Sequence, residues 1–280
     1  MPNYIWYFSL VFISIIIFIF TLKSTKDIRK NLSVYFFAAG LSFFGEFIVF
    51  ILLDSYTYNP EVFQGLWQNN IFGSIISQGI FIPTILMAIL AFQLKTKWVL
   101  LIISIVALIE EAFLLLRIYE HHWWETWYTT ALLLLGSFIM KWWKRRLNNR
   151  STANQFITIF MLLNTIFHPV SYFLTTVYHL KWYTPGLFDS IYKDHIIFNT
   201  LLGIIISIPV TVIILFSYNY FTLIIFAIIK VLFDYLLINK GILHVVDFKL
   251  VIATTILMII IISVVKRASD LLFQWRDDFY

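Results

Sequence analysis

Residues 71–92 read IFGSIISQGIFIPTILMAILAF, an apolar run without a single charge. At about 1.5 Å of rise per residue, a helix of this length reaches roughly 33 Å, enough to cross a hydrocarbon core about 30 Å thick. The run therefore reads as a transmembrane span. Outward from it, the stretches 4–22, 32–53, 98–116, 127–140, 156–178, 195–216, 221–238 and 248–265 have the same character. The expected fold is an all-α polytopic transmembrane helical bundle of about nine spans. Stretch 127–140 is short and is expected to begin earlier, within Trp123-Trp-Glu-Thr126. No charge marks the break at Ser217-Tyr-Asn-Tyr220, so eight spans is the alternative count.

Composition agrees with this reading. The chain is 61% hydrophobic and 12% charged, with a mean hydropathy of +0.87, whereas soluble domains are close to half apolar and a quarter charged. The formal charge of +5 comes from clusters in short loops, which argues against nucleic acid as a partner. There is no cysteine, so disulfides, thiolate metal sites and cysteine nucleophiles are excluded. Abundant Phe, Ile, Asn and Lys fit a low-GC bacterium and hence a bacterial cell membrane. The N-terminus lacks a basic n-region and a small-residue cleavage site, and is expected to be a retained span.

Basic residues set the expected orientation. In the nine-span count, those within 23–30, 95–97, 141–150 and 266–276 share one side, while the other holds only Arg117, Lys181, Lys193, Lys240 and Lys249. The N-terminus is expected outside and the C-terminus in the cytoplasm. Trp67, Trp123, Trp124, Trp127 and Trp182 would band the outer interface, and Trp98, Trp142 and Trp143 the inner one.

Landmarks recur at a nearly constant distance. Pro60 and Pro185, Pro83 and Pro209, Glu110 and Asp234, and Lys141 and Lys266 each lie 124 to 126 residues apart. We expect a leading helix and its cytoplasmic turn (1–30), a four-span repeat (31–147), a linker (148–155), a second four-span repeat (156–266) and a cytoplasmic tail (267–280). An even number of spans per repeat gives both the same orientation, and sites in such proteins lie between repeats.

Ionisable groups at membrane depth cost roughly 2.5–3.5 kcal/mol each on insertion scales, so each calls for a partner or a wet cavity. Here they gather toward the outer ends of spans. The candidate ligand-binding residues are Glu46, Gln78, Glu110, Glu111, His168, His195, Asn199, Lys230 and Asp234. Adjacent helical residues point about 100° apart, so one of Glu110 and Glu111 should face the bundle and the other the loop or Arg117. Lys230 and Asp234, at i and i+4, read either as a self-neutralising pair or as a ligand anchor and a free carboxylate. Pro83, Pro169 and Pro209 remove backbone donors inside spans.

The stretch 117–127 concentrates Glu120, His121, His122 and Glu125. Imidazole and carboxylate suit a divalent metal, but no HExxH pairing exists, and the second repeat keeps only His244 and Asp247. A proton-titrating interfacial cap is the preferred reading, and no metal or cofactor is expected. No nucleophile elbow, phosphate loop or paired acidic motif is present.

Each half resembles an uncharacterised family of small, four- to five-span membrane proteins of spore-forming Gram-positive bacteria. The resemblance rests on Tyr58-Asn-Pro60, on Gln78 through Pro83, and on Glu110, Glu111 and Arg117 leading into the aromatic turn at Trp127. The second half keeps Tyr183-Thr-Pro185 and Asp234 but lacks the tryptophan cluster. The family brings no established activity.

The expected function is non-enzymatic binding or translocation of a small amphiphile, lipid or ion through an outward-facing polar chamber, with membrane lipid as the constant partner. The alternatives are a structural or assembly subunit whose polar residues join helices, and an intramembrane lipid- or isoprenoid-modifying enzyme using Glu110 or Glu111 with His168. Orientation is testable at once in this cysteine-free chain. With single cysteines introduced, an impermeant maleimide added to sealed cells should label positions 59 and 189 and spare 145. The reverse pattern overturns the orientation.

Overall fold

The computed structural model describes residues 2–149 and 151–273. Arg150 and residues 274–280 of the expected tail, among them Arg276, used above for charge and topology, lie outside the described residues. The chain divides into two compact units, 1–154 and 155–280. Long helices dominate both, because in hydrocarbon every backbone polar group must be bonded within the protein.

Unit 1 contains α1 (Asn3–Ser24), α2 (Ile28–Glu46), α3 (Leu66–Ser74), α4 (Ile82–Ala91), α5 (Thr96–Leu115) and α6 (Thr126–Arg146). A π-helical turn, Phe47–Leu52, extends α2, and another, Ile75–Phe81, joins α3 to α4 into one span. Unit 2 holds nearly all of α7 (Thr152–Tyr172), which a π-helical turn (Phe173–Val177) extends, then α8 (Ile191–Phe216), α9 (Tyr220–Asn239) and α10 (Lys249–Phe273). Among the described residues, eight of the nine resulting rods are long and apolar enough to cross a membrane. The ninth, α6, starts inside Trp123-Trp-Glu-Thr126 and runs into a last turn carrying Lys144, Arg145 and Arg146, which lowers its hydropathy. The break at 217–219 separates two helices, because the Asn219 side chain accepts from Thr222 N–H at 2.9 Å and caps α9. Helix α10 outruns its apolar stretch, carrying a Lys266–Asp270 pair at 2.7 Å.

Pro83 has no N–H for the carbonyl of Gly79, four residues back. The π-helical turn lies immediately before it, and the Tyr35 hydroxyl donates to Gly79 O at 3.1 Å. At the basic end of unit 1, Lys144 Nζ donates to Leu90 O at 3.1 Å and to Asn31 Oδ1 at 3.2 Å, closing the end of α4. Trp143 is buried and stacks on Phe37 at 4.2 Å. Trp143 and Trp124 were expected in interfacial belts, yet both pack inside the unit, since neighbouring rings cover them; Trp98, Trp123, Trp127 and Trp142 are exposed.

The opposite end of each unit is closed by a short antiparallel strand pair. In unit 1, β1 (Tyr56–Tyr58) pairs with β2 (Tyr119–His121), placing Tyr56 opposite His121 and Tyr58 opposite Tyr119. Helix α5 ends with Arg117 in the left-handed region (φ +56°), with Arg117 N–H bonded to Leu114 O and Ile118 N–H to Phe113 O, the Schellman arrangement that delivers the chain to β2. Tyr58 N–H donates to Asn70 Oδ1 at 2.8 Å, and Asn69 Oδ1 accepts from Val62 and Phe63 N–H. The leading helix belongs to this unit, for Tyr7 Oη donates to Ile118 O at 2.7 Å and Asn3 Nδ2 to Asn59 O at 3.0 Å. In unit 2, β3 (Lys181–Tyr183) pairs with β4 (Leu243–Val245). There Tyr183 N–H donates to His195 Nδ1 at 3.0 Å, Asp194 Oδ1 accepts from Leu187 and Phe188 N–H, and Gly241 (φ +69°) ends α9.

Gly73 is where α3 passes closest to β1. A Cβ there would lie 2.4 Å from Tyr58 Cβ, whereas at Gly203 in α8 it would meet nothing within 4 Å. Gly73→Ala should therefore destabilise the protein by about 1–3 kcal/mol through overpacking. Gly203→Ala should be neutral or stabilising by up to about 1 kcal/mol from helix propensity. Thermal unfolding of both variants in one detergent checks the contrast, and equal melting temperatures would contradict it.

Candidate functional site

Within unit 1 lies a cavity of about 430 Å³. Its polar groups gather at the strand end and its apolar walls run away from it. Glu46 on α2, Ser77 and Gln78 in the π-helical turn, Glu110 on α5 and Thr129 on α6 form the polar end with Tyr56, Tyr58 and Tyr119. Ala38, Leu41, Leu86, Val106 and Met140, farther along the same helices, form the apolar end. The separation from Gln78 to Leu86 or from Glu46 to Ala38 is about 12 Å at helical rise.

Glu46 is buried, with 6% exposure. The Tyr56 hydroxyl donates to its Oε1, and Ser74 Oγ donates to its Oε2 at 2.6 Å. Glu110 Oε1 accepts from Thr129 Oγ1 at 3.1 Å and stands 2.9 Å from His121 Nε2. Glu111, the neighbour on α5, is exposed and accepts from Thr126 Oγ1 at 2.5 Å, outside the cavity lining. The expected division of the two carboxylates between bundle and loop is what helical geometry produces here. The outer turn is fastened by His122, whose Nδ1 lies 2.7 Å from Asp54 O and Nε2 3.0 Å from Thr57 Oγ1.

Aromatic rings surround the polar end. Tyr58 and Tyr119 have centroids 5.0 Å apart, Tyr56 and Tyr119 5.4 Å, and Tyr56 and Trp124 5.5 Å. Burial raises the hydroxyl pKa of Tyr56, Tyr58 and Tyr119 well above the usual phenol range, and the nearby Glu46 charge raises all three further; Tyr58 is partly offset by side-chain hydrogen bonds with Gln78 and Ser77. These phenols stay neutral, offering π faces and hydroxyls. Burial lowers the His121 imidazole, which Glu111 and Glu125 partly oppose.

The cavity is open along one side. Its lining residues Gly45, Ile48, Leu132 and Leu135 are exposed, the last three at about half of their surface, so its wall is least covered on the side formed by these parts of the α2 and α6 spans.

The remaining sequence-derived candidates are in unit 2. His168, Asn199 and Lys230 line a smaller cavity of about 90 Å³, together with Ser171, Lys181 and Tyr183. Ser171 and Asn199 bond each other at 3.0 Å. Lys230 and Asp234 form the i, i+4 ion pair, and Asp234 is not in the cavity lining. His195 is not in the lining either; it accepts from Tyr183 N–H and stacks on Trp182 at 4.0 Å. Burial lowers the Lys181 ammonium, with Asp234 opposing. Sequence reasoning did not single out Tyr56 or Tyr119 and gave Trp124 only an interfacial role; the alternation Tyr56-Thr-Tyr58, period two beside a span end, was the available sign of a strand presenting both tyrosines inward.

No family model, curated protein or solved structure matches this chain.

The His121 shift has a definite sign. Its folded value lies below 6.5, so folding favours the neutral ring, and the stability this contributes is lost as pH falls from 6.5 through the folded value. An NMR titration of His121 should give a midpoint below 6.5, and Glu125→Gln, which removes an opposing charge, should lower it further. A midpoint above 6.5 would contradict the burial assigned to this ring.

Proposed function

We propose that this integral membrane protein binds and transfers one small amphiphile, non-enzymatically, at the unit 1 cavity. The observation that carries this reading is the cavity's form: a polar end of two carboxylates and three phenols, an apolar bore, and a wall least covered on the side formed by the α2 and α6 spans. Ligand sites are commonly concave, mostly apolar and about 300–1,000 Å³, with a few polar groups that fix orientation. An amphiphile entering between α2 and α6 keeps its chain in hydrocarbon while its head reaches Glu46 and Glu110. By the charge bias above, the strand end faces outward, in a bacterial cell membrane with the C-terminus cytoplasmic.

The chain is, in this reading, an internal duplication, as the resemblance to small membrane proteins of spore-forming bacteria implies. Several contacts recurring at an offset of 124 to 126 residues support it. Tyr58 on Asn70 answers Tyr183 on His195, Asn69 under the loop answers Asp194, and Ser74 on Glu46 answers Asn199 on Ser171. The left-handed residue ending α5, Arg117, answers Gly241. The structural-subunit reading draws on unit 2, where Lys230 and Asp234 neutralise each other.

Gly45 provides the test. Gly45 lines the cavity and a Cβ there meets nothing within 4 Å, so Gly45→Leu adds volume to the lining where the first added atom has room, and gains about 1 kcal/mol of helix propensity. The variant should fold at least as stably as the parent and bind dodecanol roughly tenfold more weakly. Undiminished binding, measured by equilibrium dialysis, would exclude this cavity as the site.

A further inference from the structure

Hydroxyls hold both acidic groups at the polar end of the unit 1 cavity, and an imidazole stands beside one of them. Hydroxyls of Tyr56 and Ser74 occupy the two oxygens of Glu46, and Thr129 with a burial-lowered His121 occupies Glu110. Among the described residues lining this cavity there is no Lys, Arg or His. The rings of Tyr56, Tyr58, Tyr119 and Trp124 stand at the same end, in contact with one another. Aromatic faces attract a cation through the ring quadrupole, most strongly where water is excluded. Opposite charges also attract more strongly there than in water.

We infer that the head recognised at this site is a positively charged amine or quaternary ammonium on a single hydrocarbon chain. This rests on the amphiphile reading above and adds the sign of the head. An anionic head would meet two carboxylates with no cation in the lining, so phosphate- and sulfate-headed amphiphiles are excluded. A bore of about 430 Å³ has room for one chain and a small head, and not for the paired acyl chains of a bilayer lipid.

The experiment compares three amphiphiles of equal chain length on the full chain in neutral glycolipid nanodiscs: dodecyltrimethylammonium, dodecanol and dodecyl sulfate. Equilibrium dialysis should rank them in that order, with the ammonium roughly tenfold tighter than the alcohol. Glu110→Gln should remove most of that tenfold ratio of ammonium to alcohol affinity, and the melting temperature of the variant, measured beside it, separates a lost charge from a lost fold. Glu46→Gln is the second variant, since it removes the charge, keeps an acceptor for one of the Tyr56 and Ser74 hydroxyls and turns a donor on the other. Equal binding of the three, or a preference for sulfate, overturns the charged-head inference and leaves the amphiphile reading standing. Ammonium selectivity that survives both Gln substitutions overturns the assignment to these carboxylates. Phosphatidylethanolamine displacing the ammonium probe overturns the single-chain part. No binding of any of the three removes the amphiphile reading itself.

Discussion

The structure of each unit depends on how the backbone is satisfied where helices emerge from the bundle. A span meets its own hydrogen bonds, but the loops joining spans cannot, and buried unpaired amides cost free energy comparable to a lost hydrogen bond. Here a two-stranded pairing joins the second and fourth inter-helix loops of unit 1, and one buried side chain, Asn70, takes the strand amide of Tyr58 that the pairing leaves over. The pairing also decides which way side chains point. Successive strand residues alternate faces, so Tyr56 and Tyr58 both turn into the unit and meet Tyr119 from the facing strand. The polar end of the cavity is thus partly a product of loop closure.

Much of this was legible in the sequence, for a physical reason. A span needs about 20 apolar residues in a row, a signal that few other structures imitate, and the helical offset of Glu110 from Glu111 follows from rotation alone. The strand pairs were not legible, because three residues carry too little periodicity to distinguish a strand from a loop. The π-helical turns were not legible, since the sequence marks Pro83, Pro169 and Pro209 alike as positions without a backbone donor, and only the first has such a turn immediately before it. The cavity was least legible of all. Gly45 and Gly136 are in its wall, and an absence of side-chain volume acquires meaning only when the neighbouring helices are placed.

In the duplication reading proposed above, unit 2 carries the same closure with other contents. At the 125-residue offset, Lys181 stands for Tyr56, Ser171 for Glu46 and Gly203 for Gln78. The cavity there is about 90 Å³ and its charged lining is cationic. The anchors of the closure are kept in kind, an imidazole nitrogen serving in place of an amide oxygen beneath the strand amide. Groups needed for folding are replaced by others that accept the same hydrogen bond, whereas groups facing the cavity change in charge and size, as expected where folding does not dictate them.

The two units also treat a buried carboxylate differently. Asp234 is 1% exposed and its helix supplies Lys230 one turn away, the expected arrangement for a charge kept for structural reasons, because removing either partner from a buried pair costs roughly 3–5 kcal/mol. Glu46, nearly as buried, receives only hydroxyls. Glutamine at this position would accept through its carbonyl oxygen and turn an N–H donor on the other hydroxyl, so only a carboxylate accepts both bonds on separate oxygens. In the reading proposed above, the carboxylate beside neutral phenols and the bore is where a cationic head would rest. The hydroxyl-held carboxylate in unit 1 and the lysine-paired one in unit 2 thus give the ligand-site and helix-joining readings different residues to rest on.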